Sequence, residues 1–341
     1  MRTWIVAQPG PVATRPLVLT DRPEPDPGPG QARVRVHCCG VCRTDLHLAE
    51  GDLAPRRDGV TPGHEVVGVV DAVGPATSRL SVGTRVGVAW LAATDGTCRY
   101  CRSGRENLCT APAFTGWDVD GGYAESCLVD ERFAYVLPDG LDDDQAAPLL
   151  CSGIIGYRAL RTAAVPPGGR LGIYGFGGSA HLTAQLALNQ GLRVHVLTRG
   201  EENRRLALEL GCDSAGGADD EPPEPLDGAI LFAPAGELVP PALRALDRGG
   251  TLAVAGIWLS DIPALDYRRE LFEERVLRSV TANTRADGEE FLRLAERLGV
   301  RATTTRYSMA DADTALADLA AGAFAGTAVL HVPPEWSTTP A

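Results

Sequence analysis

The stretch RLGIYGFGGSAHLTAQLALNQG, residues 170–191, constrains the fold more than any other part of the chain. An apolar strand pattern runs into a glycine-rich turn and then a helical pattern. A second strand, RVHVLT (193–198), and a second helix, EENRRLALELG (201–211), follow, then strands GAILFAP (228–234) and TLAVAGI (251–257). Strands alternating with helices predict an α/β unit with a parallel, doubly wound sheet. DDEPPEPLDG (219–228) reads as an exposed linker inside it.

GFGGSA at 175–180 fits G-x-G-x-x-G/A between strand and helix. Gly175, Gly177 and Gly178 permit a tight turn and close backbone approach, and the helix opening at Ser179 favours the charge of a pyrophosphate. A dinucleotide site is the functional reading; a purely structural turn is the alternative. The second strand ends Leu197-Thr198-Arg199, with Arg204 and Arg205 a helical turn beyond. No carboxylate stands there to repel a 2′-phosphate, and the planar fork of Arg199 suits one. The preferred cofactor is therefore NADP(H) over NAD(H), with Thr198, Arg199 and Arg204 beside it.

Upstream, to about Leu150, the pattern is short Val-rich runs broken by Gly and Pro: ARVRVHC (32–38), EVVGVVDAVG (65–74), TRVGVAW (84–90) and GGYAESCLV (121–129). These predict a compact β-domain. PEPDPGPG (23–30) reads as a stiff surface loop. A tail of two helices and a strand (EEFLRLAERLG, DADTALADLAAG, GTAVLHV) is expected to rejoin that domain. The 341 residues suffice for two domains. A net charge of −12 argues against nucleic-acid and anionic-membrane partners. With no apolar leader or membrane span in the pattern, a cytoplasmic protein is expected, whose nine cysteines serve as ligands and core residues. All 32 basic residues are Arg; the absence of Lys excludes Schiff-base, pyridoxal-phosphate and P-loop lysine chemistry.

HCCGVCRTDLH (37–47), TPGHE (61–65) and LLCSG (149–153) contain Cys42, His64 and Cys151, three residues that could hold a catalytic zinc with one position left open. Cys151 falls where a helix is expected to begin, which favours its thiolate. DGTCRYCRSGRENLC (95–109) gathers Cys98, Cys101 and Cys109, and Asp95 has the spacing to complete a tetrahedral site. Alternatively, Asp95 is an exposed loop residue and that site is weak.

Taken in order, CGVCRTDLH, PGHE, CRYCRSGRENLC, GGYAE, LLCSG and GFGGSA resemble the zinc-containing medium-chain dehydrogenase/reductase family of alcohol dehydrogenases, over essentially the whole chain. YGFGGSAHLTAQLA, LFAPAGELVPPALRAL and AGIWLSDIP look closest to the bacterial cinnamyl-alcohol-dehydrogenase-like branch. The resemblance implies a GroES-like catalytic domain (1–152 and 287–341) interrupted by a Rossmann domain (153–286). It assigns Cys42, His64 and Cys151 to a catalytic zinc, with Glu65 able to approach the metal and Asp45 orienting His64. Thr44 and His47 match the family's proton relay and Arg43 its pyrophosphate contact. The family usually has a fourth cysteine where this chain has Asp95, though some members are similar in using a carboxylate in the structural site.

The implied reaction is hydride transfer between NADP(H) and a primary alcohol or aldehyde, aromatic or medium-chain, in a homo-oligomer (dimer or tetramer). Trp90, Trp117 and Trp258 are candidates to line an apolar substrate pocket, with core packing as the alternative. The main rival is NADPH-dependent reduction of a conjugated C=C bond, chemistry that does not need the relay. His37, Cys38, Cys39, Cys127 and Cys212 read as packing residues.

Overall fold

The computed structural model describes residues 1–324 and 326–336. It divides into two compact units. Met1–Cys151, Ala282–Glu296 and the described residues from Ala302 to Trp336 form the first; Ser152–Thr281 and Arg297–Arg301 form the second.

The first unit is built on the strand Gln31–Val41, eleven residues long. Ala32, Val34 and Val36 are buried in alternation, and from Cys38 every side chain is buried. The change follows a register shift between Val36 and Cys38 against the neighbouring strand Val66–Val73. Such a shift turns the following side chains to new faces. The sheet order is Thr304–Ser308, Thr327–His331, Gln31–Val41, Val66–Val73, Arg85–Val88, Ala134–Val136, with Ser126–Asp130 also pairing to Gln31–Val41. The chain's last strand thus lies against the central one, Ala328 opposite Val41.

The second unit holds six parallel strands in the order Ser214–Gly216, Arg193–Leu197, Arg170–Tyr174, Leu226–Leu231, Leu246–Val254, Val276–Ser279. Numbered along the chain this is 3-2-1-4-5-6, the order of a dinucleotide-binding sheet. Leu171, Ile173, Val194, Val196 and Ala229–Leu231 are buried, as strands covered on both faces require. No helix among the described residues is long and apolar enough to cross a membrane.

The structure departs from the sequence reading at three places. The stretch 219–228 is exposed at Asp219, Asp220, Glu221, Pro223 and Pro225, as expected, but its second half is tied down: Arg170 donates to Asp227 at 2.8 Å, while Glu224 receives Arg193 at 2.9 Å and meets His195 at 3.1 Å. The strands Ser214–Gly216 and Val276–Ser279 have no counterpart in the pattern, being short and only partly apolar. The chain re-enters the first unit at Ala282, five residues before 287. There Asn283 donates to the buried Tyr135 hydroxyl at 3.3 Å, and Thr284 and Asp287 cap the helix Arg285–Leu298 reciprocally.

Candidate active site

Cys42 stands at the junction between the strand ending at Val41 and the helix Arg43–Glu50, with extended backbone. The Asp45 carboxylate accepts the Cys42 N–H at 2.9 Å and fixes that junction. His64 follows Gly63, whose φ is +98°. A side chain there would be strained and would meet the Tyr123 ring at 2.5 Å and the Cys39 sulfur at 2.9 Å. The neighbouring Glu65 carboxylate occupies space that only a glycine at position 40 leaves open. Cys151 lies in a π-helical turn, Leu149–Gly153, after the helix Asp143–Pro148. It does not begin a helix, so the expected aid from a helix N-terminus is absent; the wider turn instead turns its sulfur toward Cys42.

These four residues converge. One ligand atom from each of Cys42, His64, Glu65 and Cys151 lies within 4.8 Å of all the others. The two sulfurs are 3.8 Å apart, and Cys42 Sγ is 3.6 Å from the buried Thr44 hydroxyl. His64 Nδ1 lies 3.2 Å from Asp45 Oδ1 in an ion-pair contact, and both ring nitrogens are buried outside hydrogen-bond geometry with any nitrogen or oxygen among the described residues. The hydrogen bond from Cys151 holds the Cys42 thiol well below its ordinary pKa despite burial, with His64 assisting. The same bond, together with burial, pushes Cys151 well up. Burial opposes charge on His64, but Asp45 and Cys42 outweigh it and raise the ring's pKa. Soft sulfurs, an imidazole nitrogen and a carboxylate in one cluster, the last two fully buried and the sulfurs partly so, are a donor set that fits zinc.

The second cluster also converges: Asp95, Cys98, Cys101 and Cys109 offer ligand atoms within 4.8 Å of one another. Asp95 Oδ1 accepts the N–H groups of Cys98 at 2.9 Å and Thr97 at 2.8 Å, which hold its carboxyl well below the usual range. The Cys101 N–H draws the Cys98 thiol down to about 7, and desolvation raises Cys101 to about 11. Asp95 is exposed and caps its own loop with one oxygen, with Oδ2 facing the Thr110 hydroxyl at 3.4 Å.

His47, half-buried on the helix Arg43–Glu50, meets Asp52 through Nδ1 at 2.9 Å. Arg43 is exposed at the start of that helix. Gly175 (φ +85°) ends the strand Arg170–Tyr174, where a Cβ would come within 2.9 Å of the Ala233 nitrogen. Gly177 precedes the helix Gly178–Asn189, and Ser179 lies in its first turn. Thr198 is buried and Arg199 exposed; Arg204 Nη1 donates to both their carbonyls at 3.0 Å, fastening helix to strand end. Arg205 pairs instead with Glu202 and Glu209 on its own helix.

Trp90 packs edge-on against His64 with centroids 4.9 Å apart, and stacks on Phe114 and Trp117. Trp258 is about half exposed in the other unit. Sequence reasoning missed Phe114, which no motif marks. It also missed Arg56, whose guanidinium sits 3.8 Å over the Trp117 ring, and the buried Tyr123, although GGYAE was noted.

Residues 28–139 match the alcohol dehydrogenase GroES-like domain family. A probable alcohol dehydrogenase, AdhA, of Mycobacterium tuberculosis is 57% identical over 337 residues, 97% of each chain. The chain belongs to the medium-chain dehydrogenase/reductase family of alcohol dehydrogenases. Among solved structures, a cinnamyl alcohol dehydrogenase from Sorghum bicolor superimposes with a TM-score of 0.88 at 28% identity, covering 97% of both chains. A cobalt- and zinc-bound thermostable alcohol dehydrogenase from Pyrobaculum aerophilum gives 0.87 at 25% identity, covering 97% of this chain and 99% of the other. The protein is thus an oxidoreductase with alcohol dehydrogenase activity, and the GroES-like and Rossmann-like architecture is that of its relatives.

Proposed function

We propose that the protein is a zinc-dependent dehydrogenase that interconverts a primary alcohol and its aldehyde using NADP(H). The observation that carries this is the convergence of Cys42, His64, Glu65 and Cys151 beside a buried threonine hydroxyl. Cys42, His64 and Cys151 would hold a zinc ion, which would supply Lewis-acid polarisation of the substrate oxygen, with a bound nicotinamide as the hydride carrier.

The chain's own residues do the rest. Asp45 orients the His64 ring, so that Nε2 is the nitrogen turned to the ligand set. Glu65 stands within reach of the same point as a neighbouring carboxylate. Thr44 accepts the alcohol proton at Oγ1 during oxidation and passes it toward His47. Asp52 holds His47 Nδ1, which leaves Nε2 for exchange with water. Gly175, Gly177, Gly178 and Ser179 would hold the pyrophosphate, and Thr198, Arg199 and Arg204 the 2′-phosphate. Support for NADP(H) is the exposed Arg199 at a strand end that lacks a carboxylate. The stacked Trp90, Phe114 and Trp117 beside His64 favour an aromatic or medium-chain aldehyde. Asp95, Cys98, Cys101 and Cys109 would hold a second, structural zinc. A homo-oligomer is part of the same proposal, supported by the edge strand Val276–Ser279, which pairs on one side only among the described residues, and by the exposed Tyr267, Phe272 and Val276; light scattering of the active preparation checks it.

Cys42→Ala and Cys151→Ala should each abolish turnover and lower bound zinc by one ion per chain. Retained turnover with an unchanged metal count would overturn the ligand assignment.

A further inference from the structure

Asp45 is almost fully buried, and each of its two oxygens faces two donors. Oδ1 accepts the Gly63 N–H at 3.0 Å and faces His64 Nδ1 at 3.2 Å. Oδ2 accepts the Cys42 N–H at 2.9 Å and the Tyr123 hydroxyl at 3.3 Å. One carboxylate therefore fastens the two segments that carry Cys42 and His64, and the fourth donor comes from a third segment, distant in sequence. We propose that Tyr123 is a positioning residue for the metal-binding cluster: its phenol O–H holds the Asp45 carboxylate, and through it the His64 ring, in the orientation that faces Cys42 and Cys151.

Three features make the hydroxyl separable from the ring. The backbone of 121–123 is already paired to the segment before His64, with Gly121 N–H donating to Thr61, Gly122 to Gly63 and Tyr123 to Pro62 at 2.8–3.0 Å. The ring is fully buried against Gly63, a position where any side chain would strike it. Burial also raises the phenol well above its ordinary pKa, so it stays protonated and donates. Replacing Tyr123 by Phe removes one donor to Asp45 and leaves packing and backbone pairing in place. A carboxylate with three donors is freer to rotate, and the imidazole it orients follows. Partners beyond the ligands themselves commonly change metal affinity 10- to 100-fold.

The inference rests on the reading of this cluster as a zinc site, and the test separates the two. Zinc release from the intact protein to a chromogenic chelator is followed for wild type, Cys42→Ser, Tyr123→Phe and Tyr135→Phe; the phase missing in Cys42→Ser belongs to this cluster. Tyr135 is the matched control, a buried tyrosine whose hydroxyl meets Asn283. Tyr123→Phe should release that zinc about tenfold faster. It should also shift the visible bands of the cobalt-substituted protein, with far-ultraviolet dichroism unchanged. Tyr135→Phe should match wild type in both. Wild-type release and spectra in Tyr123→Phe, or equal acceleration in Tyr135→Phe, would overturn the role of Tyr123. A wild type with no Cys42-dependent phase would overturn the zinc reading itself.

Discussion

At the scale of residues, the motif CGVCRTDLH divides its labour between the cysteine that caps the helix Arg43–Glu50 and the first residues of that helix. Cys42 supplies a sulfur, Thr44 a hydroxyl 3.6 Å from it, Asp45 a buried carboxylate, and His47 a half-buried ring held by Asp52. If Thr44 moves the substrate proton, Thr44→Ala should slow alcohol oxidation by about 10²-fold while leaving NADPH affinity unchanged, since positioned proton transfer contributes on that order. Steady-state oxidation paired with fluorescence titration of NADPH checks it; equal losses in both would contradict the relay. The sequence supplied these residue types and their spacing. It did not supply Tyr123 as the fourth donor to Asp45, because a tyrosine in a Gly-Gly-Tyr run reads as packing. Only the approach of residues 121–123 to 61–63 reveals the contact.

At the scale of elements, the cysteine loop shows how a short segment is fixed without regular structure. Cys98 caps the turn Arg99–Arg102, Asp95 gathers the N–H groups of Thr97 and Cys98, and Glu106 receives the Arg285 guanidinium at 2.7 Å. The last contact ties the loop to the helix Arg285–Leu298 across a long span of sequence. With Asp95 as the fourth ligand, Asp95→Ala should lose the loop metal and lower the melting temperature by several degrees, as removal of a bound ion lowers apparent stability. Metal analysis and calorimetry check it; an unaltered metal count would make Asp95 only a cap. The strands Arg170–Tyr174, Arg193–Leu197, Leu226–Leu231 and Leu246–Val254 of the Rossmann-like sheet were legible because each is an apolar run bounded by turn residues or a helical pattern. Ser214–Gly216 and Val276–Ser279 were not, since a short strand in a parallel sheet is defined by its neighbour's hydrogen bonds rather than by its own pattern. The position of Cys151 was misjudged for a related reason. Pro148 reads as a helix boundary, whereas the helix Asp143–Pro148 continues through the π-helical turn Leu149–Gly153, so Cys151 lies inside the helical stretch and not at its start.

For the whole molecule, the cluster of Cys42, His64, Glu65 and Cys151 draws its residues from one unit, up to that unit's boundary at Cys151, while the glycine turn belongs to the other. Periodicity read both sheet types correctly but could not say where the tail packs; the ladder Ala328–His331 against Cys38–Val41 answers that. It also could not see that acidic residues in a Pro-rich stretch have arginine and histidine partners, as Asp227 and Glu224 do. The central claim is zinc-dependent carbonyl reduction with NADPH. Its most direct test is NADPH oxidation with cinnamaldehyde by the purified protein, before and after zinc removal by a chelator and after zinc is restored. The expected result is rapid formation of cinnamyl alcohol, lost with the metal, regained with it, and slower with NADH. Turnover that survives complete zinc removal, or a product saturated at the conjugated C=C bond with its carbonyl intact, would contradict it.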